Sequence, residues 1–263
     1  MADADWRRYR QLRGHELPAS AGLLGGEYTL RQVLKRDFYA AVGVYDRAAG
    51  PATLPGRVLL KIYHTDPCAR VPLGWLGRWL CRRETAYYER LAAVPGVPRL
   101  LGRHGEAGLV REFVPGCNLR EYRRTRQPDG RFFPELADIL AQVHARGVSH
   151  NDLSKPENVL VTSDGRPVLI DFQIALAGLT WPAPWRWLAR PLMRYLQRID
   201  RYHLRKLHRR ARPADFTAGE LARARSKGVL LLLHGWLLRR PYRIVRHQVM
   251  DRWMRADETD RAA

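Results

Sequence analysis

Asp152, Asn158 and Asp171 are the residues whose types and spacing could do chemistry together. The first two lie in His150-Asn151-Asp152-Leu153-Ser154-Lys155-Pro156-Glu157-Asn158-Val159-Leu160-Val161. Asn158 enters an apolar run, and Asp171 leaves a second one, in Ile170-Asp171-Phe172, thirteen residues later. An Asp on a loop, an Asn entering one strand and an Asp leaving the next are the parts needed to set a hydroxyl beside Mg²⁺-bound ATP. One carboxylate accepts the hydroxyl proton. The Asn oxygen and the second carboxylate hold the metal, which neutralises phosphate charge. Asp152 is thus the candidate proton acceptor, and Asn158 and Asp171 are the candidate metal ligands.

Those residues need elements to place them. VLVTSDGRPVLIDF reads as a hairpin turning at Asp164-Gly165. FPELADILAQVHARG, residues 133–147, reads as an amphipathic helix stopped by Gly147. Upstream, residues 28–46 alternate as two strands joined near Lys35-Arg36-Asp37, and RVLLKIYH, residues 57–64, is a third. Helical spacing runs from Leu76 to Ala93 and ends before Pro95-Gly96. RLLGRHGEAGLVREFV then reads as two more strands with a Gly-containing turn. Residues 1–25 read as a partly helical lead-in, and everything beyond Gln173 as helical and basic. A strand-rich first half and a helix-rich second half predict an α+β chain of two lobes, residues 1–116 and 117–263, with ligands held where they meet.

Composition narrows the classes. At 263 residues the chain can bury a sizeable core. Its N-terminus has no apolar segment followed by a small-residue cleavage site, so it does not read as a secretory signal. Cys68, Cys81 and Cys117 are odd in number and scattered, which fits reduced thiols in a cytoplasmic protein. The net charge is +20. From Thr180 to Ala263 there are 20 Lys and Arg against 7 Asp and Glu, a surplus of 13. Such an excess attracts polyanions, unless it is only a solubilising surface.

The HxD loop, the Asn and the following Ile-Asp-Phe resemble the protein-kinase-like superfamily. Within it, the chain is most similar to a small bacterial branch that includes lipopolysaccharide kinases and RIO-type serine/threonine kinases. The resemblance covers residues 28–175 well and the tail loosely. It implies a bilobal fold: an antiparallel N-terminal sheet with one helix, then a mainly helical lobe. It implies that Lys61, in RVLLKIY, contacts the α- and β-phosphates of ATP. Glu84 would pair with that lysine, with Glu89 as its rival. Glu112 and Val114, before Pro115-Gly116, match the hinge whose backbone meets the adenine edge. Lys155 could neutralise the γ-phosphate or be a plain surface charge, and His150 is more a structural residue than a catalytic one. An Asp on a later helix anchors the catalytic loop in related folds. Asp200 is the candidate, being the sole acid between Asp171 and Asp215.

The chain departs from the pattern three times. Asp152 to Asn158 is one residue longer than the usual HxDxxxxN loop, so a bulge is predicted between Leu153 and Glu157. Phe172 is followed by Gln173 rather than Gly; Gln has less freedom at positive φ, which makes a large flip of this segment less favourable. No Ala-Pro-Glu segment follows. The turn Leu34-Lys35-Arg36-Asp37-Phe38 replaces a GxGxxG loop, leaving Lys35 or Arg36 to supply charge to phosphates or simply to face solvent.

The tail carries Trp181, Trp185, Trp187, Trp236 and Trp253 among many Arg. This composition suits a helix on an anionic membrane surface, at the inner face of the membrane, or a set of core helices. VLLLLHGWLL spans ten residues, about half of the ~20 that cross a bilayer. The expected activity is ATP- and Mg²⁺-dependent transfer of a phosphoryl group to a hydroxyl on a protein or a glycolipid sugar. The alternatives are a pseudokinase that only binds, favoured by the Phe-Gln and Gly-loop departures, and a basic nucleic-acid binder. No nucleic-acid-binding motif is visible, so no specific nucleic acid is expected.

Overall fold

A computed structural model describes residues 17–67, 72–178 and 186–223. The chain divides into two compact units. Among the described residues the first holds 17–82 and 101–112, and the second 83–100 and 113–223.

The first unit is a six-stranded sheet: β1 (Ser20–Leu23), β2 (Gly26–Arg36), β3 (Ala40–Ala49), β4 (Arg57–Tyr63), β5 (Leu100–His104) and β6 (Gly108–Glu112), in the order β1-β2-β3-β4-β6-β5. Strand β1 forms the end of the segment read as a partly helical lead-in, whose residues 1–16 lie outside the described residues. Its SAGL alternates exposed and buried residues and pairs antiparallel with the start of β2. Strand β4 is buried at almost every position, as a strand in the middle of a sheet should be. The core gathers Ala21, Leu23, Tyr28, Tyr45, Val58, Leu60 and Val110. Both buried phenols find acceptors: Tyr28 Oη donates to Pro55 O and Tyr45 Oη to Pro18 O, each at 2.8 Å. Burial pushes the Tyr45 phenol up to about 12.

The β2–β3 turn is closed by a side chain. Asp37 Oδ1 accepts from the N–H groups of Tyr39 (2.8 Å) and Ala40 (3.0 Å), an Asx turn in the place where a glycine loop was absent. Burial raises the Asp37 carboxyl. Lys35, 2.8 Å from its Oδ2, and the two N–H donors outweigh that and hold it below its ordinary value. Lys35 thus serves the turn.

Helix α1 runs from Gly74 to Arg90, and its residues from Arg83 onward pack with the second unit. That unit continues with β7 (Gly116–Asn118), α2 (Leu119–Thr125), α3 (Phe132–Ala145), β8 (Val148–Ser149), the hairpin β9 (Val159–Thr162) and β10 (Pro167–Leu169), β11 (Leu176–Ala177), α4 (Arg186–Ala211) and α5 (Ala218–Arg223). Asn118 caps α2 by accepting from Glu121 N–H at 3.0 Å. Helix α3 buries Phe132, Phe133, Leu136, Ile139, Leu140 and Val143, and Gly147 then turns the chain at φ 71°. These side chains join Tyr88, Leu91, Leu153, Val159, Leu169 and Phe172 in one core. The predicted Asp164-Gly165 turn is present, with Gly165 at φ 81° and its N–H on Thr162 O at 2.9 Å.

Beyond Gln173 the chain is not uniformly helical, because β11 pairs with β8 before α4 begins. Helix α4 buries Met193, Leu196, Ile199, Leu204, Leu207 and Ala211 along one stripe. Arg194, Arg198, Arg201 and Arg205 are exposed on the other face. The apolar stripe of this part of the tail is therefore core, not a lipid-facing surface. Cys68, Trp181, Trp185, Trp236, Trp253, the side chain of Trp187 and the segment 229–238 lie outside the described residues.

Candidate active site

The second unit builds a loop between β8 and β9 and hangs it from one buried carboxylate. Asp200, fully buried on α4, accepts from Ser149 Oγ (2.7 Å), the N–H groups of His150 and Asn151 (2.8 Å each) and His144 Nε2 (3.1 Å). Burial pushes this carboxyl up. The bond from His144 and the donors from Ser149 and Asn151 outweigh that and hold it below its ordinary value. The anchoring role expected of Asp200 is thus present in the geometry.

His150 fixes the loop from its other side. Its Nδ1 accepts from Asp152 N–H at 3.2 Å, so Nε2 carries the proton and donates to Ile170 O at 3.0 Å. Its ring also meets Phe172 edge-on, 4.9 Å between centroids, and Phe172 meets Tyr88 in the same way at 5.4 Å. The structural part expected of His150 holds.

Asp152 sits 8% exposed, with Oδ2 taken by two donors: Asn158 Nδ2 at 3.0 Å and Lys155 Nζ at 2.6 Å. Asn158 Nδ2 also donates to Asp152 O at 3.1 Å. The extra loop residue is absorbed locally. Lys155 N–H closes a turn onto Asp152 O at 3.2 Å, and a 3₁₀ turn over Pro156–Asn158 then leads into β9. This turn falls at the bulge predicted between Leu153 and Glu157, and it places Lys155 beside Asp152.

Asp171 joins this group through the backbone. Ile170 N–H donates to Asn158 O at 3.0 Å, so the start of β9 and the end of β10 are tied at one place. Asp171 itself adopts φ 67°, and its N–H reaches Tyr88 Oη at 3.3 Å. A non-glycine residue in this left-handed region is strained, and such strain collects at functional sites. Asn158 keeps its amide nitrogen on Asp152, so its oxygen is the end that a metal could use. No group of three or more His, Cys, Asp or Glu side chains suited to a metal occurs among the described residues. An Asn oxygen plus one carboxylate is a donor set that fits Mg²⁺, which keeps several waters and binds phosphate oxygens.

The remaining candidates lie in both units. Lys61 lies on β4 in the first unit, 6% exposed, with Nζ 5.0 Å from the Tyr63 ring centroid. Glu84 lies on α1 in the second unit, 1% exposed, while Glu89 is exposed. Glu112 ends β6, paired with Val58, and Val114 belongs to no helix or strand. Ser149, Asn151, His144 and Arg83 carry parts of the site's geometry that no sequence pattern singled out.

No protein-family model matches the chain. Among curated proteins it is similar to CBL-interacting protein kinase 4 of Oryza sativa subsp. japonica, 34% identical over 160 residues, which cover 57% of this chain and 33% of the rice protein. It is 35% identical over 97 residues to a probable cAMP-dependent protein kinase catalytic subunit of Encephalitozoon cuniculi (strain GB-M1), covering 34% of this chain and 30% of that one. It is 38% identical over 90 residues to a serine/threonine-protein kinase of Arabidopsis thaliana, covering 31% and 15%. The chain thus spans about a third or less of the length of these relatives. The relatives are protein kinases, and the sheet unit, the helical unit and the loop that carries Asp152 together form a protein-kinase-like α+β fold.

Proposed function

We propose that this chain is an ATP-dependent phosphotransferase that moves the γ-phosphoryl group onto a hydroxyl. The observation that supports this most is Asp152, aimed by Asn158 and Lys155 on a loop anchored to Asp200. In the transfer, the hydroxyl oxygen attacks the γ-phosphorus. The bond from that phosphorus to the bridging oxygen breaks, and its electron pair leaves with ADP. The hydroxyl proton passes to the Asp152 carboxylate. Lys155 would offset charge on the transferring group. Asn158 and Asp171 would hold Mg²⁺, which when bound neutralises phosphate charge. Lys61 would meet the α- and β-phosphates, Glu84 would pair with it, and the backbone at Glu112 and Val114 would meet adenine.

Two acceptors have support. The similarity to a serine/threonine-protein kinase favours a protein hydroxyl. The charge of +20 favours an anionic acceptor, such as a lipopolysaccharide-type sugar reached by peripheral contact with the inner face of the membrane from the cytoplasm. A binding-only pseudokinase is disfavoured because Lys61, Asp152, Asn158 and Asp171 are all present.

The test is transfer of labelled γ-phosphate to cell extract, with products separated into protein, glycolipid and small molecules. Label in the protein fraction selects the first acceptor, and label in glycolipid the second. A wild-type chain that transfers no more label than Asp152→Ala, with or without Mg²⁺, would sink the enzyme assignment.

A further inference from the structure

The segment after Asp171 is held at five places, all within the second unit. Phe172 is fully buried between Tyr88 and His150. Ala175 N–H closes a turn onto Phe172 O at 3.0 Å. Leu176 and Ala177 pair with Ser149 and Val148. Asn151 Nδ2 donates to Ile174 O at 3.3 Å. The Arg83 guanidinium donates to Ala175 O across 92 residues of sequence.

Asn151 and Arg83 are the side chains that make these contacts specific. Asn151 adopts φ 63°, a conformation that Asn tolerates better than most residues. Its Nδ2 donates to Ile174 O, while its Oδ1 lies 2.9 Å from Ser149 Oγ, whose single proton goes to Asp200. Its own N–H is on Asp200. One residue therefore links the anchor of the Asp152 loop to the segment that follows the metal-site Asp171. Arg83 is aimed by its neighbour: Nε donates to Tyr87 Oη at 3.2 Å, and the guanidinium lies 5.7 Å from the Tyr87 ring centroid. It leaves α1 one residue before Glu84.

We propose that Asn151 and Arg83 are positioning residues that clamp the segment 172–177, and with it the left-handed Asp171, in one conformation without phosphorylation of the chain. In place of a charged modification, the clamp uses two donors already in the sequence, aimed at two adjacent carbonyls. The effect on transfer rests on the phosphotransferase assignment above, while the clamp itself can be read without any activity.

Hydrogen exchange of the amides of 174–177 is the first measurement. Slow exchange in wild type, raised at least about tenfold in Asn151→Gly and in Arg83→Ala with β9 and β10 unchanged, is expected. Gly keeps the positive φ of residue 151, so that variant removes the side-chain bond without adding backbone strain. Fast exchange in the wild-type chain, or no local change in either variant, overturns the clamp whatever the activity. The second measurement is transfer rate against Mg²⁺ concentration. Both variants should need more Mg²⁺ for half-maximal rate, and Arg83→Lys, which keeps a donor, should recover part of the shift. A uniform loss of rate with no Mg²⁺ shift would mean a merely structural role and overturn the positioning role. Phosphatase-treated wild type, shown by intact mass to be unmodified, should keep its rate; loss of the rate on treatment overturns the claim that no phosphorylation is needed. A wild type without transfer but with slow exchange at 174–177 would sink the phosphotransferase assignment and leave the clamp.

Discussion

A carboxylate that accepts from an ammonium and an amide at the same oxygen, as Asp152 does, is oriented before any substrate arrives. Asp152→Asn keeps an oxygen for both donors and removes the proposed proton acceptor. It is expected to lose about 10²- to 10⁴-fold in transfer rate, the usual worth of a positioned base. Its melting temperature should stay close to wild type, and a variant as active as wild type would refute the assignment. Asp200 differs, because it carries stability. Its folded-state carboxyl lies below its ordinary value, so its contribution is fully present above about pH 4 and is lost as pH falls through the lower folded value. Asp200→Asn turns one acceptor into a donor facing donors, and is expected to cost about 3–5 kcal/mol in urea unfolding at neutral pH. The gap between wild type and variant should narrow only below about pH 4. A gap independent of acid would mean that the ionised form is not what the loop requires.

Elements separate by how local their signals are. The β9–β10 hairpin is legible because Asp164-Gly165 stands between two apolar runs, and α3 because its buried residues keep helical spacing up to Gly147. Strands β1, β7 and β11 are not legible. Each is four residues or fewer; β7 and β11 are made by partner strands far along the chain, as Leu176 is by Ser149, while β1 pairs with the β2 that follows it at once. At the site, Asp152, Asn158 and Asp171 can be read from spacing alone. Arg83 cannot, since what marks it is a carbonyl 92 residues away. Two glycines test the same distinction. Gly165 has φ 81° and open space where a Cβ would go, so Gly165→Ala should cost only the backbone strain, about 1 kcal/mol. Gly96 has φ 87°, and a Cβ there would fall 2.3 Å from Ile139 Cδ1 and 2.8 Å from its Cγ1. Gly96→Ala must also move a core side chain and should cost about 2–4 kcal/mol in urea unfolding. Equal costs at the two sites would show that Ile139 moves aside freely.

Across the whole molecule the charge is +20, and α4 shows where part of it is presented. Arg194, Arg198, Arg201 and Arg205 follow one exposed face of a helix whose other face is fixed in the core. That helix cannot insert its apolar stripe into lipid, and no helix of the described residues is long and apolar enough to cross a membrane. Attraction to an anionic surface through this ridge must then be electrostatic and must fade with salt. Vesicles containing anionic lipid should carry the full chain in flotation at about 0.05 M salt and release it at about 0.5 M, where the screening length falls to a few ångströms. Each Arg near such a surface contributes about 1 kcal/mol, so changing all four to Gln should weaken binding at low salt by well over tenfold. The substitutions fall on exposed positions, so the melting temperature should change little. Binding that survives high salt, or that the four substitutions leave unchanged, would assign the membrane contact to some other part of the chain.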